Sequence, residues 1–190
     1  MIRAAAALRI RLPGALLRLA GDRRGVSAVE FALLAPLMIA LYFGCVGISD
    51  GVSIDRKVSL TSAALANLTA QATTITSGDM TNIFNASSAI LAPYSPSPLR
   101  MTISCLNIDT DGKVNVKWSE TQGGTKRTTF AFDSSNEALK VPDTQLIYAE
   151  VSYDYTPVVG TSVIGDLTLS DHMFMSPRIS APTYGTDKCS

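Results

Sequence analysis

The chain predicts an α+β fold: a long N-terminal transmembrane helix that continues into an extramembrane helix and packs on an antiparallel β-sheet. Three observations predict it. Residues Phe31 to Ile48 carry no charge and almost no polar side chain. From Val58 to Ile75 apolar residues recur at helical spacing, and from Leu99 onward the period changes to two. A helical first part followed by consecutive strands is the pattern of an α+β arrangement.

The apolar run is the first element. As a helix, Phe31 to Ile48 rises about 27 Å, close to the hydrocarbon thickness of a bilayer. Val26 to Glu30 lengthen it enough to span with some tilt. Residues 26–48 are therefore predicted to cross a membrane. The chain has 190 residues, which suits one compact domain beside such an anchor. Its charge is uneven. Before Gly25, Arg3, Arg9, Arg11, Arg18, Arg23 and Arg24 stand against Asp22 alone. After Ile48, ten basic residues stand against fourteen acidic ones. The positive-inside rule then puts the N-terminus in the cytoplasm and the large C-terminal part outside. A basic patch for nucleic acid is not expected in that part, because the excess arginine lies before the span.

An ordinary secretory signal fits poorly, since the apolar region is too long and no A-x-A site follows it. Gly44-Cys45 resembles a lipoprotein cleavage site, but Tyr42 occupies the position of the Leu-like residue, so Cys45 reads as a small apolar helix residue. Ala4 to Leu19 form a weakly amphipathic Arg/Leu/Ala segment, suited to the inner membrane surface or to a plain leader.

Glu30 needs a separate account. A carboxylate in hydrocarbon costs on the order of 2.5–3.5 kcal/mol and usually has a partner. One reading is that it snorkels to the headgroups. Another comes from upstream. Gly25 follows Arg23 and Arg24, and Glu30 is the fifth residue after Gly25. That pattern resembles the prepilin processing site, where a membrane peptidase cuts after the glycine. Val29-Glu30-Phe31-Ala32-Leu33-Leu34-Ala35-Pro36 resembles the AVEFALLxP signature of the TadE/TadG-like family of tight-adherence (Tad, Flp-type) pilus systems, in which a Glu30-Phe31 pair is the typical form of the site. The resemblance implies cleavage between Gly25 and Val26. It implies that Glu30 meets the new Val26 ammonium of a neighbouring subunit or helix, setting axial register.

Beyond Ile48 the helix is expected to continue. Val58, Thr61, Leu65, Leu68, Ala72 and Ile75 form an a/d-like stripe between polar residues. Such a stripe lies on a soluble core or, less simply, in a coiled-coil seam. Thr74 to Gly78 breaks it. A short helix over Gly78 to Leu91 follows, with Ser77 or Asp79 placed to cap it. Pro93, Pro96 and Pro98 exclude helix from Ala92 to Leu99, where a linker is expected.

Met101, Ile103 and Cys105, and then Leu106 to Ile108, read as one strand, Val114, Val116 and Trp118 as the next, with Thr110-Asp111-Gly112-Lys113 as the hairpin turn between them. Gln122-Gly123-Gly124 turns again, Thr128 to Phe132 suits a short strand, and Ala138 to Val141 stays unassigned. Leu146 to Tyr155 is the strongest strand, with Ile147, Ala149, Val151, Tyr153 and Tyr155 on one face. Leu167 to Leu169 and His172 to Met175 suit one or two last strands before Pro177. Cys105 and Cys189 form an even pair beside Cys45, and an oxidising compartment favours a bridge from the tail to a mid-domain strand.

Catalytic chemistry is not indicated. His172 is a lone histidine, and no Cys or His cluster has metal-ligand spacing. Gly160-Thr161-Ser162-Val163-Ile164-Gly165 is near G-x-S-x-G but has Ile164 where the second Gly belongs. Gly123-Gly124-Thr125-Lys126 lacks the phosphate-loop spacing. Asp133-Ser134-Ser135-Asn136-Glu137 resembles the D-x-S-x-S metal motif of adhesion domains in longer relatives, but Glu137 replaces the final Ser. Asp109, Asp111 and Gly112 suit a plain hairpin turn better than a Ca²⁺ site.

The resemblance therefore implies a non-enzymatic minor pilin (pseudopilin) or assembly protein of a Tad pilus, supporting pilus biogenesis and adhesion. It implies a leader over 1–25, a transmembrane helix over 26–48, its extramembrane continuation over 49–76 and an exported α+β domain over 77–190. A long helix on an antiparallel sheet is also the pilin-like layout, and the Ser152 to Pro157 stretch, SYDYTP, is similar to the family too. The expected partners are the inner membrane, the prepilin peptidase, other pilus or pseudopilin subunits and the assembly platform, with no cofactor, metal or nucleic acid. The expected location is the bacterial inner membrane, N-terminus cytoplasmic and domain periplasmic, or the extracellular pilus itself. From the residues alone an alternative stands: an uncleaved single-pass anchor whose exported domain is a partner- or ligand-binding module.

Overall fold

The computed structural model describes residues 24–157 and 165–189. The segment expected to be a leader lies outside the described residues up to Arg23, as does the near-G-x-S-x-G stretch up to Ile164. The chain divides into two compact units, residues 1–44 and 45–190.

Helix α1 runs Arg24–Gln71 with Pro36 inside it. In the first unit its described side chains are exposed, with Ala35 half-buried. In the second unit one face is buried, through Ile54, Val58, Leu65, Ala66 and Ala70. The predicted a/d stripe is realised only in part. A strict 3.5-residue repeat drifts around a straight helix of 3.6 residues per turn. The core face accordingly passes from Val58 and Thr61 to Leu65 and Ala66, then to Thr69 and Ala70, while Leu68 and Ala72 are half-buried. Thr61 and Thr69 are buried with their hydroxyls satisfied, because these donate back to the Lys57 carbonyl at 2.7 Å and the Leu65 carbonyl at 2.9 Å.

α1 ends at Gln71, short of the expected 76, and Ile75 is buried instead in a two-residue strand, β1 (Thr74–Ile75). Helix α2 spans Ser77–Ser88. Its cap is Thr76, neither Ser77 nor Asp79. The Thr76 hydroxyl accepts from the Asp79 N–H at 3.2 Å, and the Asp79 carboxylate accepts from the Thr76 N–H at 3.0 Å. This capping box satisfies two donors at once. Met80 and Phe84 face the core, and a 3-10 turn over Ala89–Leu91 closes the segment. Leu91 and Leu99 are buried in one core on either side of the expected linker, so residues 92–98 are a tight connection, not a domain boundary.

Four antiparallel strands form the main sheet: β2 (Leu99–Ile108), β3 (Val114–Gln122), β4 (Thr144–Tyr155) and β5 (Leu167–Met175), in the order β3-β2-β4-β5. Gly112, at φ +77°, makes the β2–β3 turn. Strands β2 and β4 pair without a break from Leu99 opposite Tyr153 to Ile108 opposite Thr144. One face carries Met101, Ile103, Cys105, Ile147, Ala149, Val151, Tyr153 and Tyr155, packed with α1 and α2. The other carries Leu106, Ile108, Leu146 and Tyr148.

Strict alternation would put Val114, Val116 and Trp118 on one face. A register shift between Cys105 and Leu106 separates them: Trp118 lies opposite Cys105, whereas Val116 lies opposite Leu106. The bulge inserts one extra residue and turns Trp118 into the main core, leaving Val114 and Val116 on the second cluster. Thr128 to Phe132 is not a strand. Phe130 and Phe132 instead lay their rings over Tyr148 and Phe174. Residues Glu137–Leu139 form a 3-10 turn, and β5 is a single strand.

The tail supplies strands absent from the expectation, β6 (Thr183–Tyr184) and β7 (Asp187–Lys188). Two-residue strands leave no periodicity to read. They form a small sheet in the order β1-β6-β7, with β6 parallel to β1.

Candidate functional site

The candidate site is the first part of α1. Among residues 25 to 48, Glu30 is the one acid or base. Val29, Phe31, Leu33, Leu34 and Ile39, which fall on all sides of the helix, are each more than half exposed. A helix apolar on every side belongs in lipid or among other helices. By length and composition it is long and apolar enough to cross a membrane. Pro36 lacks the N–H that would meet the Ala32 carbonyl, a loss that membrane helices tolerate.

Val26 and Glu30 stand four residues apart, hence one above the other on one helix face. Val26 is 53% and Phe31 70% exposed. A Cβ at Gly25 would meet nothing within 4 Å. The Gly25-Val26 bond and the Glu30-Phe31 pair thus lie on one helical stretch, with no side chain of the described residues over Gly25. Cys45 is a free, exposed thiol.

The other paired residues lie in the second unit. Cys105, mid-β2, and Cys189, next to the last residue, are both fully buried and are joined by a disulfide with their Cα atoms 5.8 Å apart. The tail beside Cys189 is held by the Asn107 amide, which donates to the Cys189 carbonyl at 3.4 Å.

The motifs that resemble metal or phosphate sites are structural turns. The Asp133 carboxylate accepts from the Ser135 N–H and hydroxyl and the Asn136 N–H, and these bonds, the Ser135 hydroxyl first, hold it below its ordinary pKa. Asp109 accepts from the N–H groups of Asp111 and Lys113 and closes the β2–β3 hairpin. Among the described residues no group of three His, Cys, Asp or Glu side chains could hold a metal. Lys126 pairs with Glu120 at 2.6 Å, and His172 lies beside the Tyr148 and Phe174 rings.

A feature that sequence reasoning missed is an apolar groove of about 270 Å³ between α1 and the end of the sheet, lined by Gly47, Gly51, Tyr155, Leu167 and Leu169 among others. The Tyr155 hydroxyl faces the Gly47 carbonyl at 3.5 Å, and burial, with Asp50 next, raises its pKa. The Gly47-x-x-x-Gly51 spacing is the local signal. The strands that meet it are more than a hundred residues away in sequence.

Among protein families, the model of TadE-like protein matches residues 25–66. No curated protein and no solved structure matches the chain. The matched segment begins at Gly25, contains Glu30 and the whole exposed apolar helix, and ends at Ala66 in the buried face of α1. The chain therefore carries a TadE-like segment, the family already indicated by Gly25, Glu30 and the Val29 to Pro36 stretch.

Proposed function

We propose that this chain is a minor pilin (pseudopilin) or assembly protein of a Tad (Flp-type) pilus. Its first helix holds it in the bacterial inner membrane, with the N-terminus cytoplasmic and residues 49–190 exported. Prepilin peptidase cuts between Gly25 and Val26. Glu30 then meets the Val26 ammonium of a neighbouring helix, so neither charge is left alone in lipid. The exposed apolar stretch of α1 packs laterally with other pilus or pseudopilin subunits and the assembly platform, and the sheet domain presents contacts that support biogenesis and adhesion. The observation that carries this reading is that the TadE-like match covers the exposed apolar stretch of α1, residues 25–48, in which Glu30 is the single carboxylate.

The test is the N-terminal sequence of the membrane-bound protein with and without the peptidase. A mature chain starting at Val26, and a full-length precursor in the Gly25→Ala variant, support the reading. An intact leader under both conditions removes the ammonium that Glu30 is meant to meet, and leaves an uncleaved anchor with an exported binding module.

A further inference from the structure

The C-terminal residues 178–189 do more than end the chain. The Arg178 N–H donates to the Ala70 carbonyl at 2.9 Å, one of the carbonyls that the last turn of α1 leaves without a helical partner. The Thr183 N–H donates to the Thr73 carbonyl and the Gly185 N–H to the Ile75 carbonyl, each at 3.1 Å. The Trp118 indole N–H donates to the Pro182 carbonyl at 3.2 Å, and the Tyr184 ring lies 5.7 Å from the indole. Cys189 is tied to Cys105 in the middle of β2. The tail thus runs from the end of α1 past β1 to the centre of the sheet, and the one covalent tie is at its far end.

Two-residue strands are weak by themselves. β6 has the two residues of β1 and the two of β7 as ladder partners. Apart from the tie at Cys189, these short ladders, the Arg178, Trp118 and Asn107 bonds and the packing of Ala181, Pro182 and Tyr184 are what hold the tail against its conformational entropy. We propose that residues 178–189 are a redox-operated strap, which stays on the end of α1 and on Trp118 only while the Cys105–Cys189 bridge is closed. Closing it takes the Cys105 and Cys189 thiols to one disulfide. Two electrons and two protons pass to a disulfide of an exported-compartment oxidant, which leaves as two thiols. The strap would then lock after export and stay open in a reducing cytoplasm. That timing rests on the export proposed above, but the strap itself does not.

The test uses the full chain in detergent micelles, oxidised or reduced with dithiothreitol, with thiols counted so that one reactive cysteine marks the closed state and three mark the open one. The Cys189→Ser variant supplies the open state without a reductant. Trp118, the sole tryptophan, reports on the strap by fluorescence, and trypsin reports at the exposed Arg178. The expected result is a red shift of Trp118 emission and cutting after Arg178 faster by on the order of a hundredfold in both open forms, with the strand signal in circular dichroism kept. Cutting within about twofold of the closed state would overturn the proposal, since short ladders alone would then hold the strap. Loss of the strand signal would overturn it as well, since the bridge would then hold the whole sheet. Neither readout involves the peptidase or a pilus, so this proposal and the pilus reading fail separately.

Discussion

The Lys57 ammonium on α1 donates to the Ala92 carbonyl at 2.6 Å. It also donates to the Ile90 carbonyl at 3.1 Å. Both acceptors lie at the C-terminal end of the α2 and 3-10 segment, where the partial charge is negative and helical N–H donors have run out. One cation on α1 thereby ties the long helix to the shorter one.

Replacing Lys57 by Met keeps the length of the stem and removes the donor. Two carbonyls lose a charge-assisted bond, and the loss is moderated because one of them is solvent-exposed. The expected cost is about 1–2 kcal/mol. It should appear as a lower denaturation midpoint of the detergent-solubilised chain with an unchanged slope.

Leu33 and Leu65 are the same residue type on the same helix, 74% and 0% exposed. Leu65→Ala leaves a void in the main core and should cost about 2–5 kcal/mol. Leu33→Ala opens no void and should change domain stability by less than about 0.5 kcal/mol. Equal effects would mean that the first part of α1 is packed inside the domain.

Asp79 is held below its ordinary carboxyl pKa, first by the Thr76 hydroxyl and then by the Thr76 N–H. A depressed folded pKa gives stability that is fully present above the unfolded value, near 3.8, and is lost as pH falls through the lower folded value. Asp133 behaves the same way through Ser135 and Asn136. The Asp79→Asn, Asp133→Asn double variant should therefore show a shallower loss of stability below about pH 4 than the parent, measured as denaturation midpoint against pH.

Glu30→Ala should leave cleavage after Gly25 intact, because the cut depends on the glycine, and should suppress assembly. An ion pair in lipid worth at least about 1.4 kcal/mol corresponds to an assembly loss of about tenfold or more. Sheared surface pili, counted against the parent strain, measure it. Normal piliation with a processed Glu30→Ala chain would remove the register role from this residue.

Much of the fold was legible because it rests on local signals. An uncharged apolar run reads as a helix without knowledge of its neighbours. Gly112 between two alternating segments reads as a turn because glycine accepts a positive φ. The alternation from Leu146 to Tyr155 reads as a strand because one face of β4 meets the core. The Gly25, Glu30 and Phe31 pattern was legible for the same reason, being contiguous.

Other features depended on partners distant in sequence. Phe130 and Phe132 cover the second face of the sheet without joining it, since their rings find Tyr148 and Phe174 while their backbone finds no strand. Trp118 enters the main core through a bulge that alternation alone places elsewhere.

By itself the sequence determined the long apolar stretch of α1 with its single carboxylate, the β2–β3 hairpin and the α+β class, because each follows from hydropathy, charge or backbone preference over a few neighbouring residues. Only the tertiary structure decided which way Trp118 faces, how the tail reaches both the end of α1 and the middle of β2, and how Lys57 bridges two helices. Those choices are made by long-range register and by the pairing of polar groups that meet only in the fold, and neither is written in any one stretch of the chain.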